Sequence, residues 1–216
     1  MNKAKLLAAM LSLLLLAGCG QAKPTTGKPE QIPATPPATE SGAVHQGETQ
    51  SAAPALGETL PTAEELGRPA TTDLEFLLEG QPETVPATLY IGQGYSLYIP
   101  NEGWRLEDRD RDDGVLEETW ESTLNDDVEL QVLNLGDRSL EQAQAWVKAE
   151  EDDYALKEDK QGGLWGTDPE DRQQMEVRFH TADGAAYAVV YTYPETAAEG
   201  FGSRLSVLAD TFQITQ

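Results

Sequence analysis

The chain has 216 residues, one cysteine, two histidines and a formal net charge of −23 at pH 7. A charge of this sign and size repels nucleic acid and anionic lipid headgroups, which argues against nucleic-acid binding and against a basic membrane-binding face. One cysteine and two histidines also supply too few ligands for a histidine- or thiolate-based zinc site.

The N-terminus has the pattern of an export signal. Two lysines precede a largely apolar run, and small residues follow at Ala17 and Gly18. The apolar run is too short to cross about 30 Å of hydrocarbon as a permanent helix. Cys19 stands directly after Leu-Ala-Gly, and this stretch resembles the lipobox of bacterial lipoproteins.

The lipobox resemblance implies a signal peptide over residues 1–18 and acyl chains on Cys19, which becomes the first residue of the mature chain. Two or three acyl chains hold a protein stably on a membrane, whereas a single chain binds only marginally. A lipidated Cys19 leaves no thiol for a disulfide, a thiolate metal site or a cysteine nucleophile. We therefore expect an extracytoplasmic protein that reaches the membrane through its lipid.

Residues 19–72 have the composition of a tether. They contain most of the thirteen prolines and show no apolar periodicity. Such a segment cannot bury enough apolar surface to offset its ordering entropy, so we predict disorder. About fifty flexible residues span roughly 40 Å. This reach and the acidity of the chain favour a Gram-positive-type surface, although Gly20 is also compatible with an outer membrane.

Residues 73–216 are predicted to form one globular domain. All the tryptophans, tyrosines and phenylalanines lie in this range. A domain of this size buries close to 70% of the surface of its unfolded chain, which is enough for a core without disulfides. We expect the domain to be monomeric.

Alternating apolar residues and turn signals predict the strands of this domain. The predicted strands cover residues 74–78, 84–91, 95–99, 115–124, 128–135, 156–165, 174–182 and 185–193. Pro86 suggests that the second strand begins at a sheet edge, because proline cannot donate to a ladder. The charged stretch 105–114 is predicted to be a loop.

The first hairpin admits two registers. A three-residue loop at Gly92–Gly94 pairs Ile91 with Tyr95 and keeps apolar residues on one face. A two-residue loop pairs Ile91 with Ser96 instead. Consistency of the faces favours the longer loop, with Gly94 supplying a positive φ.

A later hairpin is predicted at Asp183-Gly184. Asp-Gly between two β-type runs is a strong signal for a two-residue turn. The resulting register pairs Val177 with Val190 and Phe179 with Ala188 on one face of the hairpin.

Two helices complete the predicted elements. Ser139 and Gln142 form a capping-box pattern ahead of an apolar stripe that contains Trp146. A final helix is indicated by Phe201, Leu205, Leu208, Ala209 and Phe212. Because the connections between strands are hairpin-like, we predict an α+β domain, a mainly antiparallel sheet with helices packed on it.

Two stretches of this domain resemble PsbP-like domains. The first is Gly94–Pro100 followed by Gly103-Trp104, and the second runs from Tyr187 to Pro194 and closes with the helix that ends in Ala209–Phe212. The resemblance implies an α/β/α sandwich around an antiparallel sheet. It brings no catalytic motif and implies no photosynthetic role.

Catalytic and metal signals are weak. His180 has no nucleophile motif such as Gly-x-Ser-x-Gly to work with, so a hydrolytic triad is not favoured. Asp108, Asp110 and Asp112 stand at positions one, three and five of a pattern that resembles a calcium loop. Because position six is Asp113 instead of glycine and position twelve is Thr119 instead of glutamate, a solvated, self-neutralising charged loop is favoured. The alternative is weak, millimolar calcium binding at Asp110, Asp112 and Asp113.

The second face of the late hairpin combines tyrosines with arginine, a combination enriched in interface hot spots. The residues of this predicted patch are Arg178, His180, Tyr187, Tyr191 and Tyr193. If the face is exposed, it is a binding patch. If a helix covers it, these residues belong to the core, and this second alternative is favoured.

Together these features predict a non-enzymatic, membrane-anchored lipoprotein whose domain binds an envelope protein or another envelope component, without a cofactor. The alternative is a small cell-envelope hydrolase or an inhibitor of one. A cleft with two carboxylates at fixed spacing would favour the hydrolase, whereas a convex, exposed aromatic patch would favour binding.

Overall fold

The structure, a computed structural model, describes residues 60–78 and 80–215. The predicted signal peptide, Cys19 and most of the predicted tether lie outside this range. Within it, no helix is both long and apolar enough to cross a membrane.

The described residues form eleven strands, two α-helices and a short 3₁₀ turn at Glu195–Ala197. The strands are β1 (Thr71–Leu78), β2 (Gln81–Gly92), β3 (Tyr95–Pro100), β4 (Trp104–Asp112), β5 (Val115–Ser122), β6 (Asn125–Gly136), β7 (Lys157–Glu158), β8 (Leu164–Asp168), β9 (Gln173–Ala182), β10 (Ala185–Pro194) and β11 (Gln213–Ile214). The helices are α1 (Leu140–Glu150) and α2 (Ala198–Asp210).

The strands form two sheets, and every ladder among the described strands is antiparallel. The smaller sheet has the order β1-β2-β3-β11, and the larger has the order β4-β5-β6-β10-β9-β8-β7. Helix α1 packs on one face of the larger sheet. Helix α2 and the smaller sheet pack on the other face. The predicted α+β class, a mainly antiparallel sheet with helices packed on it, is confirmed.

The larger sheet is buried on both faces at its centre. Strand β10 is buried at eight of its ten positions. Its alternate residues enter two separate cores, because successive side chains of a strand point to opposite faces. Val190 packs towards α1, whereas Tyr191 packs towards α2 and the smaller sheet.

Local signals correctly predicted two elements. Ser139 caps α1, and the reciprocal hydrogen bonds between Ser139 and Gln142 form the predicted capping box. The hairpin at Asp183-Gly184 has the predicted register, with Val177 opposite Val190. Both features depend on residues that are close together in sequence.

The predicted register of the first hairpin is wrong. Gly92 pairs with Tyr95 and Ile91 with Ser96, so the loop contains only two residues. The argument from faces failed because Tyr95, Ser96 and Leu97 are all buried, which leaves no polar face to recognise. Gly94, with φ of 78°, supplies the positive φ in the shorter turn.

The second strand begins at a sheet edge, as Pro86 predicts, and becomes internal further along. Up to Pro86, strand β2 pairs only with β1, whereas from Ala87 onward it also pairs with β3. Pro86 is tolerated there because it sits just beyond the β2–β3 ladder, which ends where Ala87 pairs with Pro100. Its carbonyl still accepts a hydrogen bond from the backbone N–H of Asn101 at 3.0 Å.

The stretch predicted as a charged loop is strand β4. It pairs with β5 through a hairpin at Asp113-Gly114, where both residues have positive φ. This is the same Asp-Gly signal that correctly identified the later hairpin. The alternation of arginine and aspartate along β4 hides the strand, because this edge strand carries few apolar residues.

The packed domain includes described residues that precede residue 73, its predicted start. Residues 63–67 form a turn, and Ala63 packs against the core. Arg68 donates hydrogen bonds to the carbonyl oxygens of Ser96, at 3.1 Å, and Thr211, at 2.8 Å. This segment therefore covers β3 and belongs to the domain.

Candidate functional site

A cavity of about 680 Å³ lies on the larger sheet where β8 and β9 emerge beside the end of α2. We call it the β8–β9 cleft. The side chains that line it include those of Trp165, Gln174, Glu176, Arg178, His180 and Asp210. Even-numbered residues of β9 share the face on which α2 packs, because strand side chains alternate. Helix α2 covers β10 on this face but leaves part of β8 and β9 open.

Trp165 stands in β8 directly opposite Glu176 of β9. Its exposed fraction is 48%, and it is the only exposed aromatic side chain among the described residues. On the other side of Trp165, β7 is only two residues long. The ammonium of Lys157 in β7 lies 5.4 Å from the centre of the indole ring. The short neighbouring strand leaves the ring partly open to solvent.

Arg178 connects the floor of the cleft to α2. Its guanidinium pairs with Asp210, the last residue of the helix, and donates to the carbonyl oxygen of Ser206 at 3.2 Å. It also donates to the hydroxyl oxygen of Ser206 at 2.6 Å and lies 5.8 Å from the ring centre of Tyr191. A cation at the end of a helix interacts favourably with the unpaired carbonyl oxygens there.

Glu176 is held by two buried phenols. The hydroxyl groups of Tyr191 and Tyr193 donate to its carboxylate oxygens at 2.7 and 2.9 Å. Burial, followed by the interaction with Glu176, raises the pKa of both tyrosines, so they remain protonated donors. The carboxylate is therefore fixed in one orientation at the floor of the cleft.

His180 lies at the far end of the cleft. Its ring centre is 4.5 Å from that of Phe212. Burial and the charge of Arg178 lower the pKa of His180, so the imidazole is neutral at pH 7. Its Nε2 atom is buried and has no hydrogen-bond partner among the residues that the structure describes.

The structure divides the predicted tyrosine–arginine patch. Tyr187, Tyr191 and Tyr193 are buried beneath α2 and the smaller sheet, so they do not form an exposed binding surface. The favoured alternative, coverage of this face by a helix, is what the structure has. Arg178 and His180 instead reach the β8–β9 cleft.

Sequence reasoning missed a buried carboxylate, Glu118 of β5, whose exposed fraction is 1%. The hydroxyl of Tyr90 donates to it at 2.7 Å, the hydroxyl of Tyr95 donates to its other oxygen, and Arg109 pairs with it. Burial and the charge of Glu118 raise the pKa of both tyrosines. One signal in the sequence indicates this burial: Glu118 lies two residues from Trp120, so the two side chains point to the same face of the strand. Because the carboxylate is satisfied by these donors, the cluster serves as a structural link between the two sheets.

The residues of the predicted weak calcium site do not form a loop. Asp110 and Asp112 lie in strand β4, and Asp113 occupies the turn that follows. A strand places alternate residues about 6.6–6.8 Å apart. Within residues 60–78 and 80–215, no group of histidine, cysteine, aspartate or glutamate is arranged to hold a metal ion.

Carboxylates also gather on the α1 side of the larger sheet. Glu121 of β5 lies directly opposite Glu129 of β6, and Glu151 follows the last residue of α1. Burial, followed by the charge of Glu117 and its acidic neighbours, raises the pKa of Glu151 to about 7. Carboxylates that lie close together at a partly buried surface repel one another when they are ionised, and this repulsion disfavours the charged form of Glu151.

Glu151→Gln is expected to stabilise the fold at pH 8, by about 1 kcal/mol after allowance for solvent screening. The folded state holds the Glu151 proton more tightly than the unfolded chain does. Stability is therefore lost as the pH rises from 4.5 to about 7. Urea unfolding should show the gain at pH 8 and none at pH 4. The exposed control Glu158→Gln should show no comparable pH dependence, and an equal gain at both pH values would contradict the assignment.

No protein-family model matches the sequence, and no curated protein matches it. Fourteen solved chains match its fold. One is cyanobacterial PsbP (CyanoP) from Synechocystis sp. PCC 6803, which is 16% identical, with a TM-score of 0.41 over 60% of this chain and 92% of that chain. Another is a protein from Bacteroides thetaiotaomicron, 10% identical, with a TM-score of 0.37 over 59% of this chain and 48% of the other. The similar structures thus include a PsbP-like domain.

Proposed function

We propose that the chain is a membrane-anchored, extracytoplasmic lipoprotein whose domain binds an envelope component without altering it chemically. The observation that supports binding is the β8–β9 cleft, which has an exposed indole on one side and the carboxylate of Glu176, held by two tyrosine hydroxyls, on its floor. Its volume lies within the range of small-molecule sites, about 300–1,000 Å³. Anchoring rests on the lipobox-like sequence that ends at Cys19.

The anchor is tested by Cys19→Ser in the cell. The variant should move almost completely from the membrane fraction to the soluble fraction, as an unprocessed or secreted form, because the thiol is the only attachment point for lipid. Quantitative blotting of membrane, soluble and medium fractions measures the change. Gln21→Ser, two residues away, should leave the membrane fraction unchanged. Retention of the Cys19→Ser variant on the membrane would refute the anchor.

The alternative, an envelope hydrolase, is supported by the presence of a cleft and of three carboxylates in it, Asp159, Glu176 and Asp210. Glycoside hydrolysis requires one carboxyl group to act as a proton donor. Here Glu176 already accepts hydrogen bonds from two tyrosine hydroxyls, and Asp210 pairs with Arg178. Asp159 accepts hydrogen bonds from two backbone N–H groups of its own loop. All three carboxylates act as acceptors, so binding is the better supported function.

A further inference from the structure

We propose that the β8–β9 cleft binds a neutral sugar, with Trp165 as the stacking surface for one face of the sugar ring. This inference rests on the proposed binding function and specifies its ligand class. It follows from two features of the cleft: the exposed indole, and the carboxylates beside it, which oppose an anionic ligand and can accept hydrogen bonds from hydroxyl groups.

The indole of Trp165 supplies the apolar contact. A pyranose ring has apolar C–H faces and a polar rim of hydroxyl groups, so it needs a flat apolar surface with hydrogen-bonding groups around it. Trp165 is 48% exposed, whereas Trp120 of the core is only 2% exposed. Aromatic rings combine a large apolar area with defined geometry, which makes an exposed indole suited to this contact.

The charged groups of the cleft disfavour an anionic ligand, because three carboxylates, those of Asp159, Glu176 and Asp210, line it with one guanidinium, that of Arg178. Arg178 is paired with Asp210 and also bonds to Ser206, so its charge is already compensated. The carboxylate of Glu176 is held in place by two phenols, and its remaining lone pairs can accept hydrogen bonds from hydroxyl groups. An anionic ligand would meet these carboxylates and the strongly negative chain, whose net charge is −23.

The test uses the whole mature chain, residues 19–216 with Cys19→Ser, so that it stays in solution. The probes are four neutral trisaccharides, chitotriose, cellotriose, maltotriose and mannotriose, with trigalacturonate as the anionic comparison. Calorimetry and tryptophan fluorescence measure binding. At least one neutral trisaccharide should bind, more tightly than trigalacturonate, and Trp165→Ala should weaken its binding at least tenfold. Trp165→Phe should retain part of the affinity.

The control Leu124→Ala removes another exposed apolar side chain, 72% exposed and outside the cleft, and should leave the affinity unchanged. Circular dichroism should show that Trp165→Ala remains folded. Absence of binding to all four neutral sugars, tighter binding of trigalacturonate, or an unchanged affinity in Trp165→Ala would overturn the sugar proposal.

Chromatography of the sugars after incubation with the protein tests the proposed non-catalytic function separately. Shortened products would overturn that function while leaving sugar recognition intact. If the sugars fail to bind but crosslinking in intact envelopes captures a protein through Trp165, the sugar proposal fails and the binding function stands.

Discussion

Glu118→Ala is expected to lower the free energy of unfolding by about 3–5 kcal/mol, because it breaks a buried ion pair by removing one partner. Glu118 is 1% exposed and receives the hydroxyl groups of Tyr90 and Tyr95 together with the guanidinium of Arg109. Its removal would take away the acceptor that the hydroxyl groups of Tyr90 and Tyr95 share in the interior between the two sheets. Urea unfolding of the mature chain, followed by circular dichroism, measures the loss.

Two comparisons make the Glu118 prediction specific. Glu117→Ala alters the neighbouring carboxylate, which points to the opposite face of β5, and should cost far less. The double variant Glu118→Met with Arg109→Met should be more stable than Glu118→Ala, because replacing both charges with apolar side chains leaves no unpaired ion. A loss below about 1 kcal/mol in Glu118→Ala would mean that water reaches the cluster and replaces the carboxylate.

Arg68→Ala is expected to lower the free energy of unfolding by about 1.5–3 kcal/mol, the range for hydrogen bonds to a charged group. The guanidinium donates to the carbonyl and hydroxyl oxygens of Ser96, at 3.1 and 2.7 Å, and to the carbonyl of Thr211, at 2.8 Å. It also lies 4.7 Å from the ring centre of Tyr98. The variant leaves the buried hydroxyl of Ser96 without this donor. Thermal and urea unfolding provide the measurement.

Arg68→Lys separates charge from geometry, because one ammonium group on a flexible stem cannot reproduce the planar fork that reaches both Ser96 and Thr211. It should recover only part of the lost stability. Arg105→Ala, which removes an exposed ion pair with Glu121, should change the stability little. If Arg68→Ala destabilises the domain no more than Arg105→Ala does, the segment before β1 does not contribute to its stability. If the expected loss is observed, fragments for binding studies should begin at residue 60 and not at residue 73.

The elements predicted correctly are those whose signals are short in sequence. The Ser139 capping box involves residues three apart, and the Asp183-Gly184 turn determines the register of β9 and β10 without help from the rest of the chain. The first hairpin has no such advantage. Its register depends on the burial of Ser96, and Arg68 of a distant segment lies against that residue.

The candidate site shows the same division. Arg178 and His180 stood out in the sequence, although as members of one hairpin face that they share with three tyrosines. Trp165 carried no distinguishing signal among the four tryptophans, since its exposure depends on the short length of β7. Asp210 joins the cleft only because α2 ends beside β9, where its carboxylate meets Arg178. No spacing of residues along the sequence predicts this contact between Asp210 and Arg178.

Alternation, caps and turns by themselves determined the α+β class, the beginning of α1 and the pairing within the late hairpin. These features arise from interactions between near neighbours in sequence, and their energies do not depend on how the elements later pack. The tertiary structure alone decided that the tyrosines of β10 are core, that Glu118 is buried, and that β8 and β9 remain open. Burial is a property of docking, since α2 and the smaller sheet share one face of the larger sheet and do not cover all of it.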